Sequence, residues 1–156
     1  MESADEVTFA FSAKWLWAWC EMHGYKRVEC RSVPFPPFLP RTGRIAVHMA
    51  SRYSRAQYAE DLDYIRGNWT CGDKVYAENP GYDELSFRHG LIVGTVAYSV
   101  READPCCIDL RDPVWLKRFV RVRGSAGWWR LPADVRRLVA ECRRPSAPST
   151  ATAWQT

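Results

Sequence analysis

The segment Gly24-Tyr25-Lys26-Arg27-Val28-Glu29-Cys30-Arg31-Ser32 gathers the side chains best suited to holding a polar ligand. In an extended strand Glu29 and Arg31 lie on one face, two residues apart, while Cys30 points the other way. Arg31, or Arg44 further along the chain, can grip a phosphate through two parallel N–H donors, whereas Lys26 offers a mobile point charge. Glu29 can accept hydrogen bonds from the exocyclic amine of a base, or pair with a neighbouring arginine. Trp17, Tyr25 and Tyr53 present flat faces on which a splayed-out base stacks, the usual way single-stranded RNA is recognised. The same Lys-x-x-Glu-x-Arg run also describes a solvated edge strand with a surface ion pair worth about 0–1 kcal/mol. His48 interrupts an apolar run, a setting in which a histidine is as often a hydrogen-bonded core group as a ligand.

For catalysis the first candidates are Lys26 and Glu29. A lysine acting as base needs desolvation or a cationic neighbour to lower its pKa, and a carboxylate three residues away does the reverse. Ser12, Ser32 or Ser51 with His48 imitates a nucleophile–base pair, but no G-x-S-x-G motif surrounds any of them. The cysteines stand at 20, 30, 71, 106, 107 and 142 with no C-x-x-C pair, so the spacing offers no zinc site. Reduced, buried thiols are expected, and neither a metal nor a cofactor.

The elements that must position these groups follow from periodicity. Val7–Ser12 alternates and predicts a strand, after which Ser12 caps a helix over Ala13–His23 that Gly24 stops. Leu16, Trp19, Cys20 and His23 share one face of that helix, and the i, i+4 spacing of Trp15 and Trp19 marks both as core. Lys26–Arg31 and Gly43–Met49 suit strands, and Ser54–Arg66 suits a helix capped by Ser54. Leu91–Val100 is a long apolar strand in which Gly94 signals a bulge or corner and, with Val93, packing rather than chemistry. Val120–Arg123 and Trp128–Leu131 are expected to pair, and Pro132 opens a last helix to about Arg143. The proline-rich stretch Val33–Pro40 must be extended, because proline excludes helix. Short strands interrupted by a few helices predict an α+β barrel.

At 156 residues and 18.0 kDa, one domain over residues 1–144 and a flexible tail over 145–156 are expected, with Trp154 exposed in the tail. No apolar run reaches the ~20 residues of a membrane helix, and the acidic Met1–Glu6 start is unlike a secretory signal, so the chain reads as soluble and cytoplasmic. Residues 1–110 carry 12 Lys+Arg and 15 Asp+Glu, residues 111–156 carry 10 and 3, so balances of −3 and +7 make up the net +4. A basic face of that kind attracts polyanions by counterion release.

Four blocks in order carry a resemblance to a known family. They are Phe11-Ser12-Ala13-Lys14-Trp15-Leu16-Trp17-Ala18-Trp19 running on into Gly24–Ser32, then Arg44–Ala50, then His89–Val96, then Arg123–Trp129. Spanning roughly residues 7–132, they resemble the ASCH domain, whose opening is an aromatic-alanine helix followed by G-x-K-x-x-E-x-R-S. The resemblance implies a PUA-like β-barrel, an association with RNA, and a cleft lined by Lys26, Glu29, Arg31, Ser32, Arg44 and His48. Some similar proteins are amidohydrolases on acylated cytosine nucleosides that use a lysine and, three residues later, a threonine. Lys26 matches the first, but Glu29 stands at the second. Other relatives are metal-assisted ribonucleases, yet no carboxylate cluster here has metal spacing. The favoured expectation is therefore a reader of single-stranded RNA or a modified nucleotide, without turnover. Hydrolysis is the alternative, as is docking of an acidic protein on the basic last helix through Arg136, Arg137, Arg143 and Arg144. On this reading Lys26→Ala and Arg44→Ala each weaken binding without unfolding the protein.

Overall fold

The computed structural model describes residues 6–143. Its elements run β1 (Phe9–Ala13), α1 (Trp15–Met22), β2 (Val28–Cys30), β3 (Thr42–Met49), α2 (Arg55–Asn68), α3 (Gly72–Glu78), α4 (Tyr82–Ser86), β4 (Leu91–Val100), β5 (Cys107–Arg121), β6 (Trp128–Arg130) and α5 (Ala133–Arg143). The strands form a single curled sheet in the order β2-β5-β4-β3-β1-β6, a half-barrel. All neighbouring pairs are antiparallel except β1 and β3. The expected tail, with Trp154, and Arg144 of the basic helix lie outside the described residues.

Strand alternation sorts the side chains between two apolar clusters. Phe9, Phe11, Ile45, Val47 and Met49 pack with α1, whose buried residues run almost all the way round the helix. Ala10, Ala46, Ile92 and Val120 point the other way and pack with Val135, Val139 and Cys142 of α5. Among the described residues no helix is long and apolar enough to cross a membrane.

Several expectations are corrected. Ser12 lies within β1 and caps nothing, because the strand runs to Ala13 and Lys14 becomes the residue before the helix. Ser54 does cap α2, its hydroxyl accepting from the Gln57 amide at 3.0 Å. Val120 and Arg121 belong to the long strand β5, and β6 pairs with β1 rather than with them. Cys30 and Cys107, expected as reduced thiols, form a disulfide. The antiparallel register sets them directly opposite each other, a pairing that residues 77 positions apart do not advertise in sequence. Gly94 is a corner as expected: the β3–β4 ladder shifts register between Val47 and His48, and the β4–β5 ladder shifts between Ile92 and Gly94.

Candidate nucleotide-binding clefts

The open side of the half-barrel is where the ligand-type residues meet. Strand β2 ends one edge of the sheet and β1 lies next to the other, and between them sits a cavity of about 670 Å³. Ser12, Lys14, Trp17, Lys26, Glu29 and Arg31 line it. Arg31 spans the gap. It donates to the Ser12 carbonyl, its Nε is 3.5 Å from Glu29 Oε1, and its guanidinium lies 5.2 Å from the Phe11 ring centre. Lys26 Nζ donates at 2.7 Å to both Glu29 Oε2 and the Val28 carbonyl. This is a largely buried charge network, not a solvated edge pair, since the side chains of Lys26 and Glu29 are 19% and 9% exposed.

Behind it stands a residue that sequence reasoning passed over. Glu21 of α1 is buried, and neither of its carboxyl oxygens has a hydrogen-bond partner among the described residues. Lys26 Nζ is 4.0 Å away. Burial, reinforced by the charge of Glu29, raises its pKa well above the ordinary carboxylate range, against the pull of Lys26. The site therefore favours the protonated form of Glu21, directly behind the Lys26–Glu29 pair. Its position between Cys20 and Met22 gave no signal, because a short helix buried nearly all round has no polar face to read. Trp17 forms a wall of the cavity. Its indole N–H donates to Asp61 Oδ2 at 3.0 Å and its ring packs on Trp69. Asp61, also unforeseen, accepts from Gln57 and Tyr53 as well, so α2 holds the indole in place.

A second cavity of about 680 Å³ adjoins the first, sharing Ser12 and Ala50 with it. Arg52, Arg121, Arg123 and His89 line it, and none of the three arginines is paired with a carboxylate among the described residues. On its floor the β1–β3 register sets Ser12 beside His48. Ser12 Oγ and His48 Nδ1 are 2.8 Å apart, and His48 Nε2 is 2.9 Å from the Val122 carbonyl. A carbonyl can only accept, so Nε2 carries the proton and Nδ1 accepts from the serine. Both ring nitrogens are thus used, and neither Ser32 nor Ser51 has a place beside them. Trp129 Nε1 donates to the same Ser12 oxygen at 3.2 Å, and a Cβ on Gly124 would come within 2.6 Å of it. The pair is a part-buried tie between strands β1 and β3.

Burial holds the His48 imidazole below its ordinary 6.5, against the Val122 carbonyl. The unfolded chain therefore takes up this proton first, and the stability His48 confers is present above 6.5 and lost as pH falls below it. Chemical denaturation of the parent at about pH 7.5 and about pH 5.5 should show that loss, and His48→Gln, which cannot charge, should show a smaller one. Equal losses would mean that other groups set the acid sensitivity.

The remaining expected residues are dispersed. Arg44 sits at the other end of β3 from His48, donating to Thr95 Oγ1 and to the Asp112 carbonyl, each at 3.0 Å, and lines neither cleft. Ser32 is exposed and also lines neither. The Tyr25 hydroxyl donates to Glu78 on α3. Tyr53 is buried against Trp15 with its hydroxyl on Asp61, leaving no free ring face for a base. In the last helix Arg136 pairs with Glu6 at 2.6 Å. Lys14, Arg52, Arg121 and Arg123 were not foreseen as ligand groups, since isolated basic residues carry no motif. Among the described residues no three His, Cys, Asp or Glu side chains are grouped to hold a metal ion. In comparisons with known proteins, no family model and no curated protein matches the chain.

Proposed function

We propose that the protein binds a nucleotide or single-stranded RNA, one base entering the cleft between β1 and β2 while phosphates lie over Arg52, Arg121 and Arg123. The observation that carries this reading is the adjacency of two chemically different cavities that share Ser12 and Ala50. One offers an aromatic wall, an ammonium and a carboxylate, the groups that stack on a base and bond to its edge. The other offers arginines without carboxylate partners, the groups that hold phosphate. The curled half-barrel and the order of the sequence blocks are in keeping with a PUA-like ASCH domain, and that assignment is part of the proposal.

The test is quenching of intrinsic tryptophan fluorescence by single-stranded RNA, duplex RNA and duplex DNA at two salt concentrations. Single-stranded RNA should bind best, and more weakly at the higher salt. Arg52→Ala and Arg123→Ala should each lower the slope of log K against log salt by about 0.7, the value for one phosphate contact on a single strand. A lack of saturable quenching by any RNA, or slopes unchanged in both variants, rules the reading out.

Hydrolysis is the second reading, favoured by the Ser12–His48 hydrogen bond. Attack by Ser12 Oγ requires an unobstructed oxygen, whereas the Trp129 indole N–H already bonds to it at 3.2 Å. The nucleotide-binding reading is the stronger for that reason.

A further inference from the structure

A third cavity, of about 600 Å³, lies apart from both clefts, lined by Trp19, His23, Arg88, Trp115 and Phe119 among others. We propose that Trp115, Phe119 and Arg88 form a second stacking subsite for single-stranded nucleic acid, continuing the strand's path beyond the basic cleft. This rests on the reading of the clefts as a nucleotide site and adds to it the length and polarity of the ligand.

The ledge is produced by a defect in the sheet. Residues four apart on a regular strand stand about 13 Å from each other. In β5 the register passes from Val120 opposite Ile92 to Trp115 opposite Gly94, so that residues 116–119 face the single Val93. The resulting excursion brings the Trp115 and Phe119 rings to 6.1 Å between centres, tilted by 32°. Arg88 lays its guanidinium 5.6 Å and 5.9 Å from the two centres and is held from behind by Glu84 at 3.9 Å. His23 meets the edge of Trp115 and stacks on Trp19, which fixes the ledge from below. Phe119 remains 37% exposed, and the neighbouring Phe87 80%.

Flat rings with a stacked guanidinium suit a nucleobase, because every base has a π-face and Arg planes stack on it as aromatic rings do. A cationic ligand is opposed by Arg88 and Lys117. Among the described residues lining the cavity the one carboxylate, Glu78, is engaged by the Tyr25 hydroxyl. Continuity is the remaining argument. His89 and Gly90, directly after Arg88, line the basic cleft, as does Arg121, two residues beyond Phe119. Arg121 Nη1 lies 3.3 Å from where a Cβ on Gly90 would stand, so the arginine sits at the junction of ledge and cleft.

The experiment compares a dye-labelled uridine dinucleotide with a labelled oligouridine of about twelve nucleotides, a length within the ~4–16 nucleotides of a typical single-strand site. Binding is followed by anisotropy at one salt concentration, with thermal unfolding as the check on folding. Phe119→Ala and Trp115→Leu should each weaken the long oligomer about tenfold, the loss of one base stack, while leaving the dinucleotide within about twofold. Arg123→Ala should weaken both ligands. Long-oligomer affinity equal to the parent's in both ledge variants overturns the subsite and leaves the cleft reading standing. Loss in the ledge variants with Arg123→Ala silent upholds the subsite and removes the cleft reading. A parent that binds neither oligomer, or ledge variants that lose binding only to a polyglutamate probe, overturns the proposal.

Discussion

Lys26→Met is expected to lower the unfolding free energy by about 3 kcal/mol, the loss that follows when one member of a mostly buried ion pair is removed. Lys26 Nζ is the cation nearest two carboxyl groups that water scarcely reaches, bonded to Glu29 at 2.7 Å and 4.0 Å from Glu21. Without it Glu29 keeps only Arg31, at 3.5 Å, and the unpartnered Glu21 loses its nearest positive charge. Lys26→Met combined with Glu29→Gln should recover much of the loss, since the stranded charge is then gone as well. Urea denaturation of the parent, the two single variants and the double variant measures this coupling. A single-variant loss below about 0.5 kcal/mol would place the pair among ordinary solvated surface bridges. The expectation that Lys26→Ala weakens binding without unfolding the protein therefore carries a cost in stability with it. Binding assays on any Lys26 variant therefore need a stability control, whereas Lys14, exposed on the wall of the same cleft, is the better ammonium to remove when only binding is in question.

Gly94→Ala is expected to destabilise by about 3 kcal/mol, at the upper end of the usual cost of overpacking a core. A Cβ at this position would lie 2.2 Å from Met22 Cε and 2.7 Å from the Val114 carbonyl oxygen. The methionine can swing aside, but the carbonyl belongs to β5 and moves only with the strand. Met22→Ala combined with Gly94→Ala should accordingly restore part of the stability and not all of it. Denaturation midpoints of the two variants decide the matter, and a Gly94→Ala loss under about 1 kcal/mol would mean the β4–β5 corner yields easily. The consequence would reach the proposed RNA path, because this corner is where β5 makes the excursion that brings Trp115 to Phe119.

The two clefts and the ledge share one origin in the geometry of the sheet. A closed barrel would pair β2 with the far edge, whereas here Arg31 and the chain that follows it close the gap with side chains. Arg31 reaches the Ser12 carbonyl, Trp128 Nε1 donates to the Val33 carbonyl at 3.1 Å, and Phe35 packs against Trp128. The proline-rich stretch thus covers the seam from one side and leaves the other open as the base-sized cleft. Arg31 is in consequence both a lining residue and a strut, which limits its use as a free phosphate ligand.

Local order determined what the sequence by itself could disclose. Leu91–Val100 emerges as a strand with the boundaries expected, Ser54 caps its helix, and the last helix begins after Pro132, because each depends on periodicity or on a capping residue within a few positions. Lys26, Glu29 and Arg31 stand together for the same reason, being neighbours in sequence on one short strand and the residues that flank it. What tertiary structure alone decided depends on register between distant strands. The pairing of β2 with β5 set Cys30 against Cys107, the parallel pairing of β1 with β3 set Ser12 against His48, and the packing of α1 put the buried Glu21 beside the Lys26–Glu29 pair. The sheet likewise took Arg44, Tyr25 and Tyr53 away from the cleft and brought Arg52, Arg121 and Arg123 to it. A shift of one residue in any strand turns its side chains to the opposite face, and no local pattern in this chain specifies which residue of one strand lies opposite which residue of another.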